Sequence, residues 1–164
     1  MTHYAKNAVE AVACIESEHN VWVHSMAATP WKLLEGLAEH SLSKENITLL
    51  QLHLEHGDVL KDAIEHAHIK PKAYFASSYN RKLIQSGKAD YIPISLSEIP
   101  RLFRQREQPL DVALIQVSPP DQHGICSLGV SVEATRAACE VADKVIAHIN
   151  PMMPRTHGDA FIHL

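Results

Sequence analysis

Apolar residues along this chain gather into short runs, and the polar stretches between them carry helical spacing. The runs Val21-Trp22-Val23, 46–54 (NITLLQLHL), 111–117 (DVALIQV) and 144–149 (KVIAHI) are brief and rich in β-branched residues. All four read as strands, that over 46–54 as buried and that over 111–117 as covered on both faces. Residues 5–18 place Ala8, Val12 and Ile15 at i, i+4 and i+7, which predicts an amphipathic helix. Thr29 reads as the cap and Pro30 as the first position of a helix over 31–40. Residues 55–69 read as loop with a short helical piece, and Ala73-Tyr74-Phe75 as a third strand. A helix over 79–85 stops at Gly87, Tyr91-Ile92-Pro93-Ile94 forms a short edge strand, and 97–104 is a short helix or turn. A last helix covers 133–141, and 160–164 is again strand-like. Strands alternating with helices predict an α/β fold, a mostly parallel sheet flanked by helices, in one domain spanning 1–164.

The run from Pro109 to Ser131 organises the rest. Its strand stops at Ser118-Pro119-Pro120-Asp121, where two prolines remove two backbone donors and fix φ. The chain leaves the sheet there at its carboxyl edge, where open α/β sheets hold ligands. Gly124 and Gly129 allow tight turns. His24-Ser25-Met26-Ala27 likewise follows a strand and precedes a helix N-terminus, a geometry suited to an anion or oxyanion, or simply to a capped helix.

Composition narrows the field. The 164 residues are 46% hydrophobic and 21% charged, with a net charge of −4. There is no basic run and only 5% aromatic content, which speaks against nucleic acid. No apolar run approaches the ~20 residues of a membrane span, and the N-terminus lacks a signal-like apolar core. The odd number of widely spaced cysteines, Cys14, Cys126 and Cys139, predicts free thiols and a cytoplasmic setting. Cys126 reads as a small buried thiol. Among the twelve histidines, His53, His56, His66 and His68 cluster in sequence, yet their spacing matches no zinc pattern. They read as solvated or hydrogen-bonded, with no metal expected. Arg101, Arg104 and Arg106 form a basic spot that reads as a solvated face rather than a phosphate site.

Several motifs then point in one direction. Val117-Ser118-Pro119-Pro120-Asp121-Gln122-His123-Gly124, Ser127-Leu128-Gly129-Val130-Ser131, Gly87-Lys88-Ala89-Asp90-Tyr91-Ile92-Pro93 and Met153-Pro154-Arg155-Thr156-His157-Gly158-Asp159 resemble the acetyl-CoA hydrolase/transferase family. The resemblance extends within it to 4-hydroxybutyrate CoA-transferases, covers nearly the whole chain, and is confined to the family's amino-terminal half. It implies a CoA-transferase-type (NagB/RpiA/CoA-transferase-like) domain, with a carboxyl-terminal catalytic domain absent from this sequence.

The resemblance also implies ping-pong transfer of CoA between a short-chain acyl-CoA (4-hydroxybutyryl, butyryl or acetyl) and a carboxylic acid such as acetate. A glutamate attacks the thioester and later carries CoA as a glutamyl thioester. That glutamate belongs to the absent half, so no catalytic residue is assigned here. Glu133 suits the first turn of a helix better than a nucleophile's place. Coenzyme A enters as substrate, and no other cofactor is implied. This half is expected to supply the acyl-group wall from His24, Ser25, Met26 and Ala27, and from Ser118, Pro119, Pro120, Asp121, His123 and Gly124. Met26 is bulkier than the small residues relatives carry there. Arg155 and His157 reach the cleft or serve structural contacts. An isolated half would expose apolar surface, which predicts a homo-oligomer. The rival readings are acyl-CoA hydrolysis, in which water intercepts the intermediate, a non-reacting acyl-CoA-binding or subunit-pairing module, and a histidine-rich metal binder.

Overall fold

The computed structural model describes residues 3–163. In chain order the elements are α1 (Ala8–Val12), β1 (Asn20–Val23), α2 (Trp31–Ser41) and β2 (Ile47–Gln51). A 3-10 turn, Gly57–Leu60, runs into α3 (Lys61–Glu65), followed by β3 (Ile69–Ala73), α4 (Ser78–Gln85) and β4 (Asp90–Tyr91). A second 3-10 turn, Leu96–Glu98, enters α5 (Ile99–Arg104). The remainder is β5 (Val112–Val117), β6 (Ile125–Ser127), α6 (Thr135–Val141), β7 (Lys144–Ile149) and β8 (Phe161–His163).

Six strands form one parallel sheet in the order β4-β3-β2-β1-β5-β7, while β6 and β8 pair antiparallel in a separate two-stranded ribbon. The period-2 alternation of strand side chains splits the core into two layers. Val21, Val23, Leu49, Val112 and Leu114 join Leu34 and Leu37 of α2 and Leu60 beside α3 on one face. Trp22, Leu50, Ala113, Ile115 and Val117 meet Ile99 and Phe103 of α5 and Ala137 and Ala138 of α6 on the other. All six residues of β5 are buried, as expected for a strand with helices on both sides. The parallel α/β architecture read from the sequence is the one observed.

Several local expectations are corrected. The third strand lies at Ile69–Ala73, ahead of the Ala73-Tyr74-Phe75 run. Its lysines make it look polar, but Lys70 reaches Asp90 and Lys72 Nζ donates to Gln108 Oε1 at 3.0 Å. The expected helix over 5–18 shortens to Ala8–Val12, opened by the Asn7 side chain accepting from the Glu10 N–H at 2.8 Å. Thr29 does not cap α2. Pro30 holds the N-cap position, and Thr29 Oγ1 instead donates to the Met26 carbonyl (2.7 Å) and accepts the Glu55 N–H (3.1 Å). Glu133 is not in a helix turn: α6 begins at Thr135. Of the terminal run, Phe161–His163 is strand, and Leu164 lies outside the described residues.

Candidate functional site

The order in which strands are added reverses between β1 and β5, since the chain builds outward from β1 through β2, β3 and β4 and then returns to β1's other side. Such a switch point leaves a crevice at the carboxyl ends of the two strands. The turn after β1 and the loop after β5 both start there, and their settings differ.

The β1 turn faces a cavity of about 470 Å³. Its walls come from segments that follow successive strands: Ser25 and Met26 after β1, Leu52 and His53 after β2, Tyr74 and Phe75 after β3, with Ile94, Leu96 and Ile99 beyond β4. Ser131 and Glu133, ahead of α6, close it. Among these described residues there is no lysine or arginine, and His53 Nε2 is bonded to Glu55 Oε1 at 3.2 Å. The surface is mostly aliphatic and aromatic, with one polar wall.

That wall is a buried network. Glu133 Oε1 accepts from Ser25 Oγ (2.9 Å) and, more distantly, from the Ser25 N–H (3.3 Å). Its Oε2 accepts the Thr135 N–H at 2.7 Å. Thr135 Oγ1 sits 3.0 Å from both carboxylate oxygens and accepts from the Trp22 indole N–H at 2.8 Å, so its own proton goes to Glu133. His24 is fully buried beside it. The Gln116 N–H donates to His24 Nδ1 at 3.3 Å, which places the ring proton on Nε2, directed at the Ser131 carbonyl. Burial holds the imidazole below the ordinary histidine range, while the Glu133 carboxylate 3.9 Å away pulls it back up. Both Glu133 oxygens are thus engaged, and neither is presented as a free nucleophile.

The β5 loop turns away. Ser118 and Ser127 bond reciprocally: the Ser118 N–H meets the Ser127 carbonyl at 2.9 Å, and the Ser127 N–H meets Ser118 Oγ at 2.9 Å. Pro119 and Pro120 are exposed, as is His123. Asp121 closes the loop on itself, accepting the His123 (2.9 Å) and Ile125 (3.0 Å) N–H groups. Arg155 bonds Asp121 at 2.8 Å and lies 4.9 Å from the Phe161 ring centre, and His157 packs edge-on against the same ring. Gly124 takes φ 75° to make the turn. Of the residues singled out in the sequence, the structure therefore brings Ser25 and Met26 to the cavity, with His24 behind them and Ala27 at the exposed side of the turn. Ser118, Pro119, Pro120, Asp121, His123, Gly124, Arg155 and His157 gather around the β6–β8 ribbon instead. Leu52, His53, Tyr74 and Phe75 were missed, although the rule that selected Ser25, a position just beyond a strand's carboxyl end, applies equally to them.

The four clustered histidines serve separate ends. His66 and His68 each bond a backbone carbonyl through Nδ1, those of Asp62 (2.9 Å) and Lys44 (2.8 Å), and His56 lies by the Trp31 ring. Arg101 and Arg104 pair with Glu98 and Glu140 on the surface. Among the described residues no helix is long and apolar enough to cross a membrane.

Residues 1–164 match the family of the acetyl-CoA hydrolase/transferase N-terminal domain. The chain is 44% identical over 98% of its length to a succinyl-CoA:acetate/propanoyl-CoA:succinate CoA transferase of Fasciola hepatica, and covers 34% of that protein. It is 37% identical over 96% of its length to a 4-hydroxybutyrate coenzyme A transferase of Clostridium kluyveri, covering 37% of it. The crystal structure of RipA from Yersinia pestis superposes with a TM-score of 0.86 at 28% identity, over 96% of this chain and 39% of that one. The chain thus spans about a third of the length of the curated relatives it matches, 34% and 37%.

Proposed function

The chain belongs to the acetyl-CoA hydrolase/transferase family, and on that footing we propose that it is the acyl-binding, amino-terminal half of a CoA-transferase. The whole enzyme moves CoA between a short-chain acyl-CoA, of acetyl, butyryl or 4-hydroxybutyryl size, and a carboxylic acid such as acetate. A glutamate outside residues 1–164 attacks the thioester carbonyl, forming an acyl-glutamyl anhydride and releasing CoA thiolate. The thiolate then attacks the glutamyl carbonyl, the carbon–oxygen bond of the anhydride breaks, and the first acid leaves as its carboxylate. The incoming acid reverses both steps, so one activated carbonyl is exchanged for another with no external energy source.

The observation that carries this reading is the cavity's chemistry. A largely apolar space of about 470 Å³, lined by Met26, Leu52, Phe75, Ile94, Leu96 and Ile99, suits an acyl chain. It offers no lysine or arginine to a phosphate. The nucleotide end of CoA lies elsewhere in this reading, and only the acyl end enters.

The test is isotope exchange between labelled acetate and butyryl-CoA. Residues 1–164 alone give no exchange, and the complete polypeptide gives exchange that scales with added carboxylic acid. Exchange by the 164-residue chain would place the nucleophile within it and sink the proposal. Thioester loss that does not depend on added acid would replace transfer with hydrolysis.

A further inference from the structure

The sharpest unexplained feature of the polar wall is a carboxylate with no cation. The Glu133 side chain is 9% exposed, and among the described residues its only ionisable partner within 4.0 Å is His24, which is held towards its neutral form. Its backbone is strained as well, with φ 27°. A neutral side chain would serve a simple helix-start contact at lower cost, because a desolvated charge is tolerated only when several donors converge on it.

Across the wall stands a second strained residue. Met26 has φ 56°, a left-handed conformation that bulky side chains avoid. The turn holding it is fixed from two directions: the Met26 N–H donates to the His53 carbonyl at 2.8 Å, and the Thr29 N–H (3.0 Å) and hydroxyl Oγ1 (2.7 Å) both donate to the Met26 carbonyl. Its third anchor is Ser25, held by Glu133 through both its hydroxyl and its N–H. Bonds to an ionised acceptor are the stronger kind. Ser25, Met26, Ser131 and Glu133 all line the cavity, so this link joins the two segments that form its polar wall.

We propose that Glu133 is a positioning residue: acting through Ser25, it holds Met26 in its strained turn and thereby sets the acyl-chain length the cavity accepts. The length-setting role rests on the acyl-binding reading above, whereas the clamp itself does not. Without the clamp Met26 relaxes out of the left-handed region and the cavity wall loses its fixed shape, while groups that bind CoA itself are untouched.

The experiment has two arms, both run on the complete polypeptide and read from the Met26 ε-methyl signal after ¹³C-methyl labelling, assigned by its loss in Met26→Leu. In the first, without ligand, Glu133→Gln and Ser25→Ala each shift the Met26 signal, and the double variant shifts it no further than one single change. An unmoved Met26 signal in Ser25→Ala, or shifts that simply add in the double variant, would overturn the clamp. Ser25→Ala keeps this arm decisive even if Glu133→Gln fails to fold. In the second arm, acetyl-, butyryl- and hexanoyl-CoA are titrated. Wild-type affinities differ by about ten-fold across the series, and Ser25→Ala or Glu133→Gln flattens the spread to about two-fold. Free CoA moves the Met26 signal in none of them. A spread that survives both substitutions defeats the length-setting role. If no acyl-CoA moves the wild-type signal while the first arm succeeds, the acyl-binding reading falls and the clamp stands.

Discussion

Two loops leave the carboxyl edge of this sheet on either side of the switch point, and they are held in opposite ways. The turn after β1 folds inward. Trp22, His24 and Ser25 are bonded to Thr135, Ser131 and Glu133 respectively, so two distant segments are stitched together under cover. The loop after β5 folds outward onto its own ribbon, tied by Asp121, Arg155 and the β6–β8 pairing. Both loops end a strand with a chain-breaking stretch, so that feature alone tells only where the chain exits the sheet. What the exiting segment meets next decides whether it walls a cavity or covers a surface.

The largest effect expected from this difference belongs to Trp22. Its ring is fully buried, stands edge-on to Phe103 at 5.2 Å, and carries the indole N–H that anchors Thr135. Trp22→Ala should cost about 3–5 kcal/mol in urea unfolding, the range for losing a large buried aromatic. Trp22→Phe keeps most of the packing and orphans only the Thr135 hydroxyl oxygen, at about 1 kcal/mol. If the alanine variant lost under ~1 kcal/mol, the inner region would not depend on this residue and the contrast would weaken.

A second test uses pH. His24 is held below the usual histidine range by burial, so the unfolded chain takes up a proton before the folded one does. Stability should therefore be full above about pH 6.5 and fall as pH drops towards the folded value, by up to ~1.4 kcal/mol per pH unit. His148, lowered by partial burial and by Lys32, contributes with the same sign, so the titration belongs in a His148→Gln background. Urea midpoints that stay level between pH 7.5 and about 5.5 in that background would show His24 protonating as easily folded as unfolded.

The same contrast explains what was legible in the sequence. β1 and β5 were visible because burial on both faces demands unbroken apolar runs, while β7, an edge strand with no fully buried residue, still matches its apolar run at Lys144–Ile149 residue for residue. β3 was missed because it carries Pro71 between two lysines. β4 pairs only with Lys72 and Ala73, so no neighbour on that side needs the proline's missing donor. The stitches of the inner region left no local trace: Ser25 and Glu133 are 108 positions apart, and Trp22 and Thr135 113. Glu133 was read from its immediate neighbours alone, which is why it looked like an ordinary helix-start acid. The outer loop, by contrast, is mostly self-contained, and Asp121 bonding its own backbone at positions two and four ahead is the kind of turn that Pro-Asp sequences announce.

The smallest expected effect comes from Asp121, and it tests the division most directly. The Ile125 and His123 N–H groups, with Arg155 beyond them, hold its carboxyl below the usual carboxylate range. A depressed folded-state value means that its contribution is present at neutral pH and fades only as pH falls below about 4, well under the window in which His24 acts. Because the group is only partly buried, its side chain 32% exposed, its loss should loosen the ribbon without unfolding the domain. Asp121→Ala should speed hydrogen exchange at the amides of β6 and β8, leave the Trp22 environment unchanged by fluorescence, and leave the Met26 methyl signal where it is. Asp121→Asn retains one acceptor oxygen and should do less. A shift at Met26 on changing Asp121 would mean that the outer loop is mechanically coupled to the cavity wall. The two loops would then be one site, and the proline-stiffened segment would have to be brought back into the account of acyl recognition.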